Sequence, residues 1–314
     1  MKSFRRLLPL LAAIALLLVI FTCWVPQHRF LTADNLLDLA QQISVNAILA
    51  FGLTLVILIG GIDLSVGAIV ALAGVVCVSV LGAVGPAGGL AAGLGAGLLL
   101  GLANGLCAAR TRMPPFIITL AMMLVARGLA LGFNESRPLP IGGDQSFILA
   151  LGNARLGGWL PLPVVVMLAV FVFTAVLLHR TRFGQHLFAI GGNREAARFT
   201  GIAIARHEIA VYSLCGFCAG LAGMIHASQL YSAEPAAGQG FELNAIAAVV
   251  VGGTSFSGGI GALPGTLLGA IIIGILDKGL NQAGVHFSLQ YVVKGLVVLG
   301  AVYMDVRRRK AAAQ

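Results

Sequence analysis

Charge is scarce in this chain. Of its 314 residues only 10% are Asp, Glu, Lys or Arg, 11 acidic against 20 basic, and 7% are aromatic. A chain 59% hydrophobic with so little charge is not an ordinary soluble domain, because a globule of this size has too little interior to hide that much apolar surface. Two glycine-rich stretches, GGIDLSVG at Gly60–Gly67 and GGTSFSGGIG at Gly252–Gly261, lack the GK[ST] ending of a phosphate loop, and no such ending occurs elsewhere. The chain therefore does not hydrolyse ATP itself. Its six histidines show no HxxxH or HExxH spacing, so they provide no metal or catalytic set and an intramembrane enzyme has little support. Strict apolar–polar alternation, the mark of a membrane barrel, is missing as well. The net charge of +9 is scattered over loop ends rather than gathered on one face among aromatics, which argues against nucleic acid as a partner.

What the chain has instead is long apolar runs. A membrane-spanning helix needs about 20 mostly apolar residues, so lipid is the solvent and roughly ten spans fit. Lys2, Arg5 and Arg6 precede a run over 7–25 that is long for a signal peptide and lacks a small-x-small cleavage site, so it reads as a retained first span. Further spans are expected over 43–59, 66–84, 88–109, 116–133, 160–178 and 209–229, then a short one from 243, and finally 262–276 and 289–303. Gly85-Pro86 is the turn between the third and fourth. Arg110, Arg112 and the RRRK tail at 307–310 join the N-terminal cations on one side, against Arg29, Arg137, Arg155 and Lys278 on the other. The positive-inside rule then puts both termini in the cytoplasm. The expected fold is an all-α polytopic membrane protein of about ten transmembrane helices, with 1–314 as a single domain.

Several residues stand out within the runs. Gly89, Gly93, Gly97, Gly101 and Gly105 share one helix face, as do Gly261, Gly265 and Gly269, and such stripes mark seams where helices approach closely, within the chain or between two copies. Asp63, Arg127 and Lys294 are costly in lipid and should face protein or water. With Ser65, Asn46 and Asn244 they are candidates for a solute path, or else pair internally to lock helices together; Asn104 is a similar candidate for hydrogen bonding. Broken helices at membrane depth are tolerated where they line a cavity, so the two glycine-rich breaks are candidates for the same path. Cys215 and Cys218 form a CxxC pair, but without the soluble strand-helix setting of a redox motif they read as small hydrophobes.

Arg180–Glu208 is the exception to the scarcity of charge, crowding Arg180, Arg182, Arg194, Glu195, Arg198, Arg206 and Glu208 between two apolar runs. Such a loop must sit in water, where a soluble partner can reach it. Inside it, Asn193 caps a short helix, Glu195 lies in the first turn near the positive end, and Gly201 ends it. The small Ala196-Ala197 pair would let the helix lie flat in a partner's groove.

EAA-x-x-x-G at Glu195–Gly201 resembles the start of the cytoplasmic loop motif of ATP-binding-cassette importer permeases, without its later I-x-L-P part. LTADNLLDLAQQISVNAILAFGLTLVILIGGIDLSVG at Leu31–Gly67, RTRFGQHLFAIGGNREAARFTGI at Arg180–Ile202 and ELNAIAAVVVGGTSFSGGIGALPGTLLGA at Glu242–Ala270 are similar to the permeases of ribose-type monosaccharide importers. The likeness implies a homodimeric permease of the inner membrane, a cytoplasmic ATPase with two cassettes and a periplasmic sugar-binding protein. No cofactor is implied for this chain, since ATP and Mg would be bound by the partner ATPase. Carried over, 180–208 is a cytoplasmic coupling loop in which Gly191, Asn193, Glu195, Ala196, Ala197 and Gly201 form the helix resting on the ATPase. The outer stretches 134–158 and 231–242 would face the binding protein. The expected function is import of ribose or a related pentose. Other solutes in the same class are a different sugar, an autoinducer or a branched-chain amino acid. A proton-driven secondary carrier is the rival from another class, with Asp63 its main proton site, and a plain membrane scaffold leaves the polar residues in the spans unexplained.

Overall fold

The computed structural model describes residues 2–25, 30–111, 113–142 and 146–313; His28, Arg29, Arg112 and Asp144 lie outside the described residues. The chain is all-α, with twelve α-helices among those residues and only short strand pairs between them. They are α1 (Lys2–Trp24), α2 (Ala33–Leu58), α3 (Val66–Arg110), α4 (Pro115–Gly132), α5 (Ser146–Asn153), α6 (Leu162–Arg180), α7 (Arg182–Gly192), α8 (Arg194–Phe199), α9 (Ile204–Gln229), α10 (Phe241–Val251), α11 (Leu263–Gln282) and α12 (Phe287–Ala313). Seven stretches are long and apolar enough to cross a membrane, and two shorter apolar helices, Phe241–Val251 and Phe287–Tyr303, accompany them.

Straight, the 45 residues of α3 would measure about 68 Å, twice a bilayer core. Gly85 folds it instead, at φ 71° and ψ 178°, a conformation an L side chain resists, with Pro86 opening the second arm. The two arms lie against each other, so that a methyl on Gly93 would come within 2.9 Å of the Ala73 carbonyl.

Against this hairpin lies α9. A methyl on Gly97 would fall on the Gly216 carbonyl, one on Gly101 on the Tyr212 carbonyl, and one on Gly105 within 2.7 Å of Ile209 Cα. The stripe is thus a seam inside one chain, which removes it as a seam between copies. α9 answers with glycines of its own, Gly216, Gly220 and Gly223. The second stripe is likewise internal: Gly265 and Gly269 abut Gly252 and Ala248 at the end of α10. Cys215 and Cys218 are buried free thiols of α9. Across the bundle the buried hydroxyls of Thr54 and Thr266 meet at 2.9 Å, tying α2 to α11.

The stretch between α9 and α10 is not a simple turn. After α9, the residues before α10 turn back along α3 instead of standing free, and Ser232–Ala233 pairs with Leu139–Pro140. Ala233 packs with Val75 and Val78, while Gly238 abuts Gly67 eleven residues nearer the start of α3. Arg127 fixes the descent by donating to the carbonyls of Pro235 at 2.9 Å and Ala237 at 2.7 Å. A backbone stretch without helical hydrogen bonds needs such partners once it leaves water. The helix α10 therefore starts partway down the bundle, and much of 231–242 packs on its own chain, with Tyr231, Ala236 and Gln239 left exposed.

Candidate functional site

A cavity of about 430 Å³ lies between α2, α9, α10 and α11. Helical periodicity builds its walls. Asp38, Gln41, Gln42, Val45 and Asn46 share one face of α2, and Ala270, Gly274, Asp277 and Lys278 share one face of α11. His226 and Gln229 come from the end of α9, and Phe241 and Asn244 from the start of α10, brought there by the descending stretch. Asn46 lies thirteen residues after Ala33, the start of α2, so the cavity reaches about 20 Å along that helix, roughly two thirds of the ~30 Å of a bilayer core.

Most of its polar groups are neutral or paired. Lys294 on α12 holds Asp277 Oδ1 at 2.8 Å, and Asn244 Nδ2 donates to Asp277 Oδ2 at 3.3 Å. Gln41 donates to the Gly152 carbonyl at 2.7 Å and Lys278 to the Asn35 carbonyl at 3.1 Å. Asn46 Oδ1 is buried and meets no hydrogen-bond donor among the described residues. His226 and Phe241 meet edge to face, with centroids 5.1 Å apart, and present ring surface to the same space. Amide groups around an apolar ring suit a neutral, polyhydroxylated solute: the amides exchange hydrogen bonds with hydroxyls, and the ring covers C–H faces.

Of the six path residues expected from the sequence, the structure brings Asn46 and Asn244 into this cavity and places Lys294 behind its wall. The other three lie elsewhere. Asp63 and Ser65 are wholly buried in the first break, where Asp63 Oδ1 accepts from Ser65 N at 2.9 Å and Ser65 Oγ at 2.6 Å, and Asn104 donates to Ser65 Oγ at 2.9 Å. Arg127 is spent on the descending stretch. Sequence reasoning missed Gln41, Gln42, Gln229, Asp277 and Phe241. The pair Gln41-Gln42, one turn before Asn46, was the available signal, whereas Asp277 was hidden because the ninth span was ended at Leu276.

At the other end of the bundle lies the charged loop. Asn193 Oδ1 accepts from Ala196 N at 2.9 Å and caps α8, and Glu195 occupies its first turn. Gly201 ends it at φ 83°, with Gly201 N bonded to Arg198 O and Ile202 N to Ala197 O, the double closure typical of a helix C-terminus. Arg194 reaches the buried carboxylate of Glu208 at 2.7 Å and ties α8 to α9. Glu195 and Ala196 are exposed; Ala197 is turned inward, and Gly191 lies against Leu58 and Gly259 rather than facing outward. The prominent outward group is one the sequence reading passed over, Phe199, 89% exposed.

Comparison with known proteins supplies the family. Residues 35–302 match the profile of the family described as branched-chain amino acid transport system / permease component. The ribose import permease protein RbsC of Bacillus subtilis (strain 168) is 46% identical over 309 residues, 98% of this chain and 94% of that protein. Its Escherichia coli (strain K12) counterpart is 44% identical over 305 residues, 94% and 93% of the two chains. The L-arabinose transport system permease protein AraH of the same strain is 37% identical over 307 residues, 96% and 91%. No solved structure matches. A polytopic helical chain matched over nearly its whole length by transport permeases is a multi-pass membrane transport subunit, not an enzyme, and it belongs to the branched-chain amino acid transport system / permease component family.

Proposed function

We propose that the chain is the membrane subunit of an ATP-driven sugar importer, with ribose or a related pentose as its solute. The observation that carries this is the cavity: Gln42, Asn46, Gln229 and Asn244 beside Phe241 form a hydrogen-bonding lining, and its charged residues are engaged by the chain itself, Asp277 by Lys294, Asp38 by Arg155 and Lys278 by the Asn35 carbonyl. An amino acid would need counter-charges for its ammonium and carboxylate, and the charges that line this cavity already have partners within the chain. The ribose permeases among the relatives support the sugar, and the arabinose and D-allose permeases, each 37% identical, mark its neighbours.

In this reading residues 1–314 form one transmembrane domain of about ten spans, counting the two arms of α3 separately and including α10 and α12. Both termini are cytoplasmic. Two copies assemble with a cytoplasmic ATPase, which binds ATP and Mg, while this chain carries no cofactor; a periplasmic binding protein delivers the solute. The loop 180–208 is the coupling segment, and Asn193, Glu195, Ala196 and Gly201 shape the helix that meets the ATPase, with Phe199 as its apolar contact. Closure of the cassettes shifts the cavity between outward and inward access, which nucleotide can do only by binding the two states unequally.

The test is uptake of labelled ribose, arabinose, allose and leucine into proteoliposomes containing the chain, its ATPase and its binding protein. ATP-dependent accumulation of a sugar in preference to leucine is expected. Uptake driven by a proton gradient without ATP would replace this reading with the secondary carrier.

A further inference from the structure

The charged loop does more than face a partner, because the end of α7 is wedged between the two broken segments of the bundle. A methyl on Gly191 would overlap both the Leu58 carbonyl at the end of α2 and the Gly259 amide in the second break. That carbonyl is itself the acceptor of the Gly259 N–H, at 2.9 Å. Gly258, at φ 83°, completes the contact: a Cβ there would lie 3.0 Å from Gly60 N and 3.1 Å from Gly191 Cα. Three stretches of backbone thus touch with no side chain between them, and the neighbouring Gly192 faces open space.

Contacts between backbones are stiff, since no rotamer change can absorb a displacement. A push on α8 passes through α7 to Leu58 and to Gly258–Gly259 together. These segments are the ends of cavity walls: α2 carries Asn46, and α10 and α11 flank the second break and carry Asn244 and Asp277. We propose that Gly191 is a positioning residue for transport, the joint through which the coupling loop moves α2, α10 and α11 as one body. The proposal rests on reading 180–208 as the coupling segment. It separates Gly191 from the residues that meet the ATPase, because its contacts are with its own chain.

The experiment compares Gly191→Ala with Gly192→Ala in the complete reconstituted complex, measuring ATPase retention on purification, ATP hydrolysis and sugar uptake. Gly191→Ala is expected to retain the ATPase and to hydrolyse ATP, while sugar imported per ATP falls at least tenfold; Gly192→Ala should match the unaltered chain. Because Gly191→Ala could fail to fold, a second measurement leaves the joint intact. Spin labels at Gln185→Cys and Ser257→Cys, both exposed positions, should keep one separation in the nucleotide-free and ATP-bound complexes. A change in that separation between the two states overturns the joint. Equal uptake per ATP with and without the Gly191 methyl overturns it too, leaving the importer reading standing. Absence of ATP-driven uptake from the unaltered complex overturns both.

Discussion

Two groups of polar side chains lie inside this apolar bundle, and they differ in whether they bond mainly to one another or line a cavity. At the first break, Asp63, Ser65 and Asn104 bond to one another, wholly buried. In the cavity, Gln42 and Asn46 line space that a solute can enter, with the Asn46 oxygen itself buried in the wall. Either group would be costly in lipid, a carboxylate more so than an amide, so the presence of a polar residue in a span does not by itself distinguish scaffold from site. The difference lies in the partners, and removing a side chain from each group should have opposite consequences.

The framework that holds the two groups apart is the α3–α9 seam, and breaking it has the largest expected effect. Gly101→Leu puts a branched side chain where a single methyl already overlaps the Tyr212 carbonyl and would come within 2.9 Å of Gly216 Cα. Backbone on both sides cannot yield, so the cost is expected to exceed the roughly 1–3 kcal/mol usual for overpacking. Size-exclusion chromatography in detergent should show loss of the monodisperse protein. A well-folded Gly101→Leu chain would mean that α9 does not pack on this stripe.

Next in size is Asp63→Ala. It removes the acceptor for Ser65 N and Oγ just before α3 and leaves buried donors unsatisfied, at about 1–3 kcal/mol. Thermal unfolding of the solubilised chain should register this as a clear fall in midpoint. Asp63 is also the residue a proton-coupled carrier would depend on. If Asp63→Asn kept ATP-driven uptake and stability near those of the unaltered chain, neither a proton site nor a charge-dependent turn would survive at this position.

How much of this was legible depended on how local the chemistry is. Asn193 as a cap and Gly201 as a terminator are decided within a few residues, and α8 forms where they predict it. Gly85-Pro86 as a turn is local for the same reason. The glycine stripes were visible, but the face opposite was not, because only folding brings Gly216 and Gly220 to them. Asp63 and Asn46 looked equivalent on the page: each is one polar residue amid aliphatics, and the bonds that separate them involve Asn104 and the walls of α10 and α11. The descent of 232–240 along α3 was illegible, since polar and small residues after a span read as a loop until Arg127 is seen to claim their carbonyls. Phe199 was passed over because attention went to the charges around it.

The smaller predictions test the open group. Asn46→Leu removes a buried acceptor that no protein group satisfies, so stability should hold or rise, while sugar uptake should show a KM higher by about 2- to 13-fold, the worth of one hydrogen bond at 0.5–1.5 kcal/mol. A marked fall in unfolding midpoint would move Asn46 into the scaffold with Asp63. Gln42→Ala is the mildest change: the side chain is exposed to the cavity mouth, and stability should stay within about 0.5 kcal/mol. Its effect on uptake separates two uses of the same cavity. If the solute is held at the level of Asn46, one turn deeper, Gln42 meets it only in passing and KM should change less than it does for Asn46→Leu. If Gln42→Ala proves the more damaging, the solute rests near the mouth, and the deep amides serve passage rather than binding.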